Sequence, residues 1–222
     1  MKIIHHASGS SGNAIQVDDV LIDAGVKVDG EFDLLLITHA HIDHIRHITD
    51  LIQRSRHFYT PQAVLWSIYE KTLKWSKKRK RTLYREIADK LLDDGEVETF
   101  KLNHDVPCYG YVIGEYVHIT DTGQFDVSQV PKGKTFYTIE SNYDEVELDL
   151  SGRPLDLIDR IKDTHLSNEQ SIQLAHELDA NEVMFVHLSD ETNSPQLAQI
   201  THDLLAPQIK KHYPQGEKSY VR

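Results

Sequence analysis

A single cysteine, Cys108, stands among the 222 residues. One thiol excludes an intrachain disulfide and any zinc site built on several thiolates, and it makes an intracellular protein the expectation. Long apolar runs are missing too: none approaches the roughly 18 residues that a membrane-crossing helix needs. The opening Met1-Lys2-Ile3-Ile4-His5-His6 turns polar with no secretory stretch, so a cytoplasmic location with no membrane partner is expected. There is no low-complexity segment and no internal repeat. Positive charge is short overall, with 24 Lys/Arg against 35 Asp/Glu and a net charge of −11. Taken alone, that balance disfavours a polyanionic partner. Its distribution says otherwise, because residues 71–85 hold eight Lys/Arg and no Asp/Glu.

What is present is the composition of an ordinary globular domain, 39% apolar and 27% charged, with 14 histidines. Histidine is the commonest metal ligand, so the places where it falls matter. Short apolar runs repeatedly end on an ionisable residue. Val20-Leu21-Ile22 ends at Asp23, and Leu34-Leu35-Leu36-Ile37 leads through Thr38 to His39. Phe100 to Asn103 leads to His104, Tyr116 to Thr120 ends at Asp121, Thr135 to Ile139 at Glu140, and Glu182 to Val186 at His187. Their length and their β-branched and aromatic content predict strands. Strands that share a sheet can bring such ends to one edge.

Helical spacing appears at Leu65, Trp66, Tyr69 and Leu73, and again at Leu83, Ile87 and Leu91. The basic run lies between these two sets, within a helical insertion of about residues 65–92. Ser167 with Gln170 predicts a capping box ahead of Ile172, Leu174, Ala175 and Leu178. Leu197, Ile200, Leu204 and Leu205 predict a last helix, and the tail from about His212 is expected to fray. One domain is expected.

The densest chemistry is Thr38-His39-Ala40-His41-Ile42-Asp43-His44, which places four potential ligands in six residues after a buried strand. Such a loop can serve two metal ions, with the other strand ends completing their shells. H-x-H-x-D-H resembles the signature of the metallo-β-lactamase superfamily. Asp23 in Leu21-Ile22-Asp23-Ala24-Gly25, His104 in Asn103-His104-Asp105, Asp121 in Thr120-Asp121-Thr122-Gly123 and His187 in Val186-His187-Leu188-Ser189 resemble its other motifs. The resemblance implies an α/β, four-layer αββα sandwich with the site at one edge. It implies His39, His41 and His104 on one divalent ion, Asp43, His44 and His187 on a second, and Asp121 bridging them. Zinc is the expected metal, with manganese or iron as alternatives. Asp23 is expected to orient a ligand histidine.

Two further segments, Ile139-Glu140-Ser141-Asn142 and Thr164-His165-Leu166-Ser167, resemble motifs of the phosphodiesterase branch that includes ribonuclease Z. There the Glu and His act as a pair to protonate the leaving oxygen. Together with Ser8-Gly9-Ser10-Ser11-Gly12-Asn13, they resemble the YycJ/WalJ-like group of single-strand DNA exonucleases. The implied activity is a nuclease on single-stranded DNA, with a hydroxide held by two metals as nucleophile and His165, supported by Glu140, as general acid. Lys77, Lys78, Arg79, Lys80 and Arg81, together with Ser10, Ser11 and Asn13, are the expected nucleic-acid contacts. The rival readings are a metallo-hydrolase of a small thioester or lactone, which needs the metals but not the basic run, and a non-catalytic nucleic-acid-binding module.

Overall fold

The computed structural model describes residues 1–214 and 218–221. It divides into two compact units. The first comprises residues 1–98 with the C-terminal strand, and the second comprises residues 99–214.

The first unit holds β1 (Lys2–Ala7), β2 (Ala14–Val17), β3 (Val20–Ile22), β4 (Phe32–Leu36) and β5 (Ser55–Tyr59). Its helices are α1 (Ile42–Ile45), α2 (Ile48–Leu51), α3 (Gln62–Thr72) and α4 (Lys77–Lys90). The second holds β6 (Glu98–Leu102), β7 (Cys108–Ile113), β8 (Tyr116–Ile119), β9 (Phe136–Glu140), β10 (Glu182–Val186) and β11 (Lys210–His212). With them come α5 (Glu145–Leu150), α6 (Leu155–Thr164), α7 (Asn168–Glu177) and α8 (Pro195–Leu205). Strand β12 (Lys218–Val221) returns to the first unit.

Each unit is built on a mixed six-stranded sheet, ordered β12-β1-β2-β3-β4-β5 in the first and β11-β10-β9-β8-β7-β6 in the second. In the first, β3, β4 and β5 run parallel, with Ile22 opposite Leu36. In the second, β8, β9, β10 and β11 run parallel, with Ile119 opposite Ile139 and Val186 opposite Glu140. Parallel strands release their chains at the same edge, and there the predicted ionisable ends emerge. Every residue of β8, β9 and β10 is buried, as the continuous apolar runs of parallel strands require. The second unit's core gathers Val117, Ile119, Tyr137, Ile139, Val183 and Phe185 from these strands, with Ile172 and Ala175 from α7.

Glu140 closes β9, as expected of the run that ends on it. The basic run forms the first turns of α4, where Ser76 caps the helix by accepting from the Arg79 amide. Helix α3 buries Val64, Ile68 and Thr72, and leaves Trp66 and Leu73 exposed. Helix α8 likewise buries Ala198 and His202, while Ile200, Leu204 and Leu205 face solvent. Apolar spacing located both helices, but the buried face was set by the smaller side chains. The tail is structured where it was expected to fray. Lys210–His212 pairs parallel with β10, and Lys218–Val221 pairs antiparallel with β1. Polar residues suffice there because both are edge strands held by backbone bonds. Residues 215–217 and 222 of that tail lie outside the described residues.

Candidate metal centre

In the first unit, the loop after β4 carries His39, His41, Asp43 and His44, the last two within α1. Asp23 directly follows β3 and adopts a left-handed backbone with φ 64°. That geometry is costly for a residue with a side chain, though Asp, Asn and His tolerate it best. It turns the Asp23 carboxylate onto the neighbouring loop. Asp23 accepts from the Thr38 amide at 2.9 Å, from Thr38 Oγ1, and from His44 Nδ1 at 2.7 Å. A carboxylate only accepts, so the His44 proton sits on Nδ1 and the Nε2 lone pair is left for a metal. Both residues are buried. His39 Nε2 lies 3.1 Å from His41 Nδ1, and the His39 and His44 rings are 3.9 Å apart, so three imidazoles converge.

Three backbone segments cross at this loop. The Asn13 amide donates to Asp43 O at 2.8 Å, Ala24 N to His44 O at 2.7 Å, and Gly25 N to Asn13 O at 2.9 Å. A Cβ on Gly25 would stand 1.6 Å from Asp43 O, so no larger residue fits the crossing. Asn13 itself is buried. Its Nδ2 donates to Asp43 Oδ2 at 3.2 Å and lies 2.9 Å from His44 Nε2, while its Oδ1 accepts from Gly9 N. The sequence grouped Asn13 with Ser10 and Ser11 as a nucleic-acid contact. Burial commits it to the ligand loop instead, and only the two serines are exposed.

The second unit repeats the device. Asp121 and His187 follow β8 and β10 with φ of 48° and 58°. Asp121 Oδ1 is 2.7 Å from His187 Nδ1, and Glu140 Oε1 is 2.8 Å from the same nitrogen. Glu140 Oε1 also accepts from His165 Nδ1 at 2.6 Å, and Glu140 Oε2 accepts from Thr122 N at 2.9 Å. One ligand atom from each of Asp121, Glu140, His165 and His187 lies within 4.8 Å of all the others. His104 stands beside them, its ring 5.3 Å from that of His165. Its Nδ1 donates to Thr164 O at 3.1 Å, which leaves Nε2 as the ligand atom. The loops of Asn103, Thr122 and Asp163 are stitched as tightly as in the first unit: Gly123 N donates to Asn103 O, and a Cβ on Gly123 would stand 2.0 Å from Asp163 O.

Electrostatics separate two roles here. Burial alone raises the Glu140 carboxyl, but the His165 and His187 imidazoles outweigh it and hold Glu140 below the ordinary carboxylate range. Burial pulls His165 down, and the adjacent Glu140 carboxylate more than reverses this, leaving His165 above an ordinary histidine. The pair therefore favours Glu140 as carboxylate and His165 as imidazolium. The donor set of both units, imidazoles with fixed tautomers plus carboxylates, suits borderline and hard divalent ions.

The sequence model of a Beta-lactamase superfamily domain matches residues 20–188. The chain belongs to this superfamily. Its two mixed sheets and flanking helices are the metallo-β-lactamase fold expected from the motifs, and it is a hydrolase of that fold with His/Asp clusters able to hold metal. The chain is 26% identical to exodeoxyribonuclease WalJ of Streptococcus pneumoniae over 226 aligned residues, covering 88% of this chain and 84% of that protein. It superposes on the metallo-β-lactamase fold protein YhfI of Bacillus subtilis with a TM-score of 0.68 at 16% identity, over 100% of both chains. Human tRNase Z, short form, gives 0.65 at 14% identity, over 100% of this chain and 99% of the other. Among the described residues, no helix is long and apolar enough to cross a membrane.

Sequence reasoning named the ionisable residues but missed what orients them. Thr38, Thr122 and Asn142, whose Nδ2 donates to His187 O at 2.9 Å, carry no chemical signal of their own. Thr38 and Thr122 are marked only by adjacency to a ligand, and Asn142 only by standing two residues beyond Glu140.

Proposed function

We propose that this chain is a metal-dependent phosphodiesterase acting on nucleic acid, with single-stranded DNA as its preferred substrate, working in the cytoplasm. The observation that carries this reading is the Glu140–His165 pair, 2.6 Å apart, with the carboxylate fully buried and the imidazole at the same cluster as Asp121. A thioester hydrolase has little use for a strong proton donor, because its thiolate departs unprotonated. Phosphodiester cleavage expels a sugar alkoxide, which leaves poorly unless protonated. The relative whose printed name is an exodeoxyribonuclease supports the same choice.

In this reading His39, His41 and His104 hold one divalent ion, Asp43, His44 and His187 hold the second, and Asp121 is shared, as the superfamily motifs imply. Zinc is proposed, with manganese or iron as alternatives. Two such ions supply Lewis acidity and lower the pKa of water at the site. The chain's residues do the rest. Asp23 and the Thr164 carbonyl hold His44 and His104 with their Nε2 lone pairs facing outward. Glu140 holds the proton on His165 Nδ1 and stabilises the imidazolium, so His165 delivers its Nε2 proton to the departing oxygen. Glu140 itself stays ionised, held by two imidazoles and the Thr122 amide.

The test is a gel assay of metal-loaded protein on end-labelled single-stranded DNA, duplex DNA and RNA, with Asp43→Ala and His41→Ala as controls. Metal-dependent cleavage of single-stranded DNA, lost in both variants, is expected, and the product ladder gives polarity and mode. Full activity in Asp43→Ala contradicts the ligand assignment. Absence of cleavage of any strand, with turnover of a thioester or lactone, contradicts the nuclease reading.

A further inference from the structure

The α3–α4 hairpin is rich in charge that the fold itself does not use. Of the five consecutive cations that open α4, two are committed to structure. Arg79 donates from Nη2 to Arg46 O and from Nε to Thr49 Oγ1, and it stacks on Trp75 with its guanidinium 3.3 Å from the ring centre. Lys80 Nζ donates to Leu73 O at 3.0 Å. Lys77, Lys78 and Arg81 are exposed and make no ion pair or side-chain hydrogen bond among the described residues. With Thr82 and Arg85 they wall a cleft of about 320 Å³ whose lining holds four cations and no carboxylate.

This arrangement weakens the helix. Lys77, Arg81 and Arg85 repeat at i, i+4 and i+8, and like charges at that spacing repel. Cations in the first turn also oppose the helix dipole. No carboxylate in residues 71–85 offsets them, and among the described residues Arg85 alone of these cations pairs with one, Glu86 at 2.8 Å. The spacing has a use outside the fold. Four residues of helix rise by ~6 Å, close to the interval between successive phosphates of a nucleic-acid strand. The same face carries Tyr84, whose ring meets Tyr69 at 4.9 Å, and Tyr69 in turn meets the exposed Trp66 at 5.9 Å. Cations at phosphate spacing beside accessible aromatic rings are the elements of a single-strand track.

Its anchorage points the same way. Arg79 ties α4 to Arg46, two residues beyond His44, and Arg46 Nη1 donates to the carbonyl of exposed Ser11 at 2.6 Å. Helix α4 is therefore tied through Arg79 to the segment that follows the H-x-H-x-D-H loop, with Lys77, Lys78 and Arg81 left exposed.

We propose that Lys77, Lys78 and Arg81, flanked by Arg85, Tyr84 and Trp66, form a binding track for the phosphate backbone of a single nucleic-acid strand, separate from the metal ligands. The proposal rests on the phosphodiesterase reading for its purpose, but its test does not need cleavage. Binding of a fluorescent phosphorothioate oligodeoxynucleotide, which resists hydrolysis, is followed by anisotropy across a salt series. The proteins are wild type, the triple variant Lys77→Gln/Lys78→Gln/Arg81→Gln, and a control, Lys101→Gln/Lys132→Gln. Each phosphate contact contributes about 0.7 to the slope of log affinity against log salt for a single strand. Loss of three contacts therefore predicts a slope smaller by about 2, an affinity at least tenfold lower at low salt, and little change in the control. The triple variant should melt no lower than wild type, because it sheds repulsion.

An unchanged salt slope in the triple variant overturns the track. So does a triple variant that keeps strand binding but loses binding to vesicles of anionic phospholipid, since that makes the face a membrane contact. Wild type that hydrolyses no phosphodiester defeats the nuclease reading, while the slope still decides the track.

Discussion

At the scale of single residues, the site depends on side chains that accept an unfavourable backbone. Asp23, Asp121 and His187 each leave a parallel strand with φ between 48° and 64°. The cost, about 1–2 kcal/mol each, is accepted where the turn aims a carboxylate or imidazole at its neighbours. Two supporting residues give direct predictions. Asn13→Ala removes the amide that reaches both Asp43 and His44 and should weaken metal affinity about 10- to 100-fold, measured by competition with a chelator, with the fold retained by circular dichroism. Glu140→Gln removes the partner of His165. It should lower kcat on an oligonucleotide by about 10²- to 10⁴-fold and spare bis(p-nitrophenyl) phosphate far more, because p-nitrophenolate departs without a proton. Equal losses on both substrates would assign Glu140 a structural role.

A third residue belongs to the second unit's interior. His202 is fully buried, with Nε2 near Ser171 Oγ, Ser141 Oγ and Asn168 O and Nδ1 2.9 Å from Tyr213 Oη. Burial pushes its pKa down to about 3. The folded state thus binds fewer protons than the unfolded state between about pH 3 and the ordinary histidine value of about 6.5. Stability is full above that value and falls as pH drops through the window, by up to about 1.4 kcal/mol per pH unit. Melting curves from pH 7 to pH 4 should show this decline, and His202→Gln should flatten it.

At the scale of elements, the strands position the chemistry and the loop crossings hold it. The strand ends were legible in the sequence because parallel strands are continuous apolar runs, and an ionisable residue closing such a run stands out. The capping box at Ser167 and Gln170 was legible for the same local reason, and it forms. The loop crossings were not legible. Gly25 looks like any turn glycine until the backbone of residue 43 is found against it. Gly25→Ala should therefore destabilise the fold by about 3 kcal/mol or more, read from urea unfolding, although Gly25 touches no substrate. Helix faces were also hidden. In α3 the spacing of Leu65, Trp66, Tyr69 and Leu73 was real, yet Val64, Ile68 and Thr72 are the side chains that pack, because periodicity fixes an angle and not which side of it meets the core.

At the scale of the whole molecule, charge is partitioned. Residues 99–214 carry 19 Asp/Glu against 8 Lys/Arg, while residues 71–85 carry only cations. A uniformly acidic protein would repel a polyanion everywhere. This one concentrates its attraction on one helix, which the composition alone conceals and the order of residues reveals. The motif set from Asp23 to His187 spans most of the residues matched to the superfamily, so family and ligand chemistry are readable in the amino-acid sequence itself. The division into two compact units, and the return of the C-terminal strand to β1, are not, because a four-residue polar edge strand has no apolar pattern to find.

The central claim, metal-dependent phosphodiester cleavage by this chain, is tested most directly by titrating the chelator-stripped protein with manganese or zinc while following hydrolysis of a single-stranded oligodeoxynucleotide. Activity should be absent in the stripped protein, rise with added ion, and reach its plateau at two ions per chain. Cleavage that survives stripping, or a plateau reached at one ion, would contradict the account.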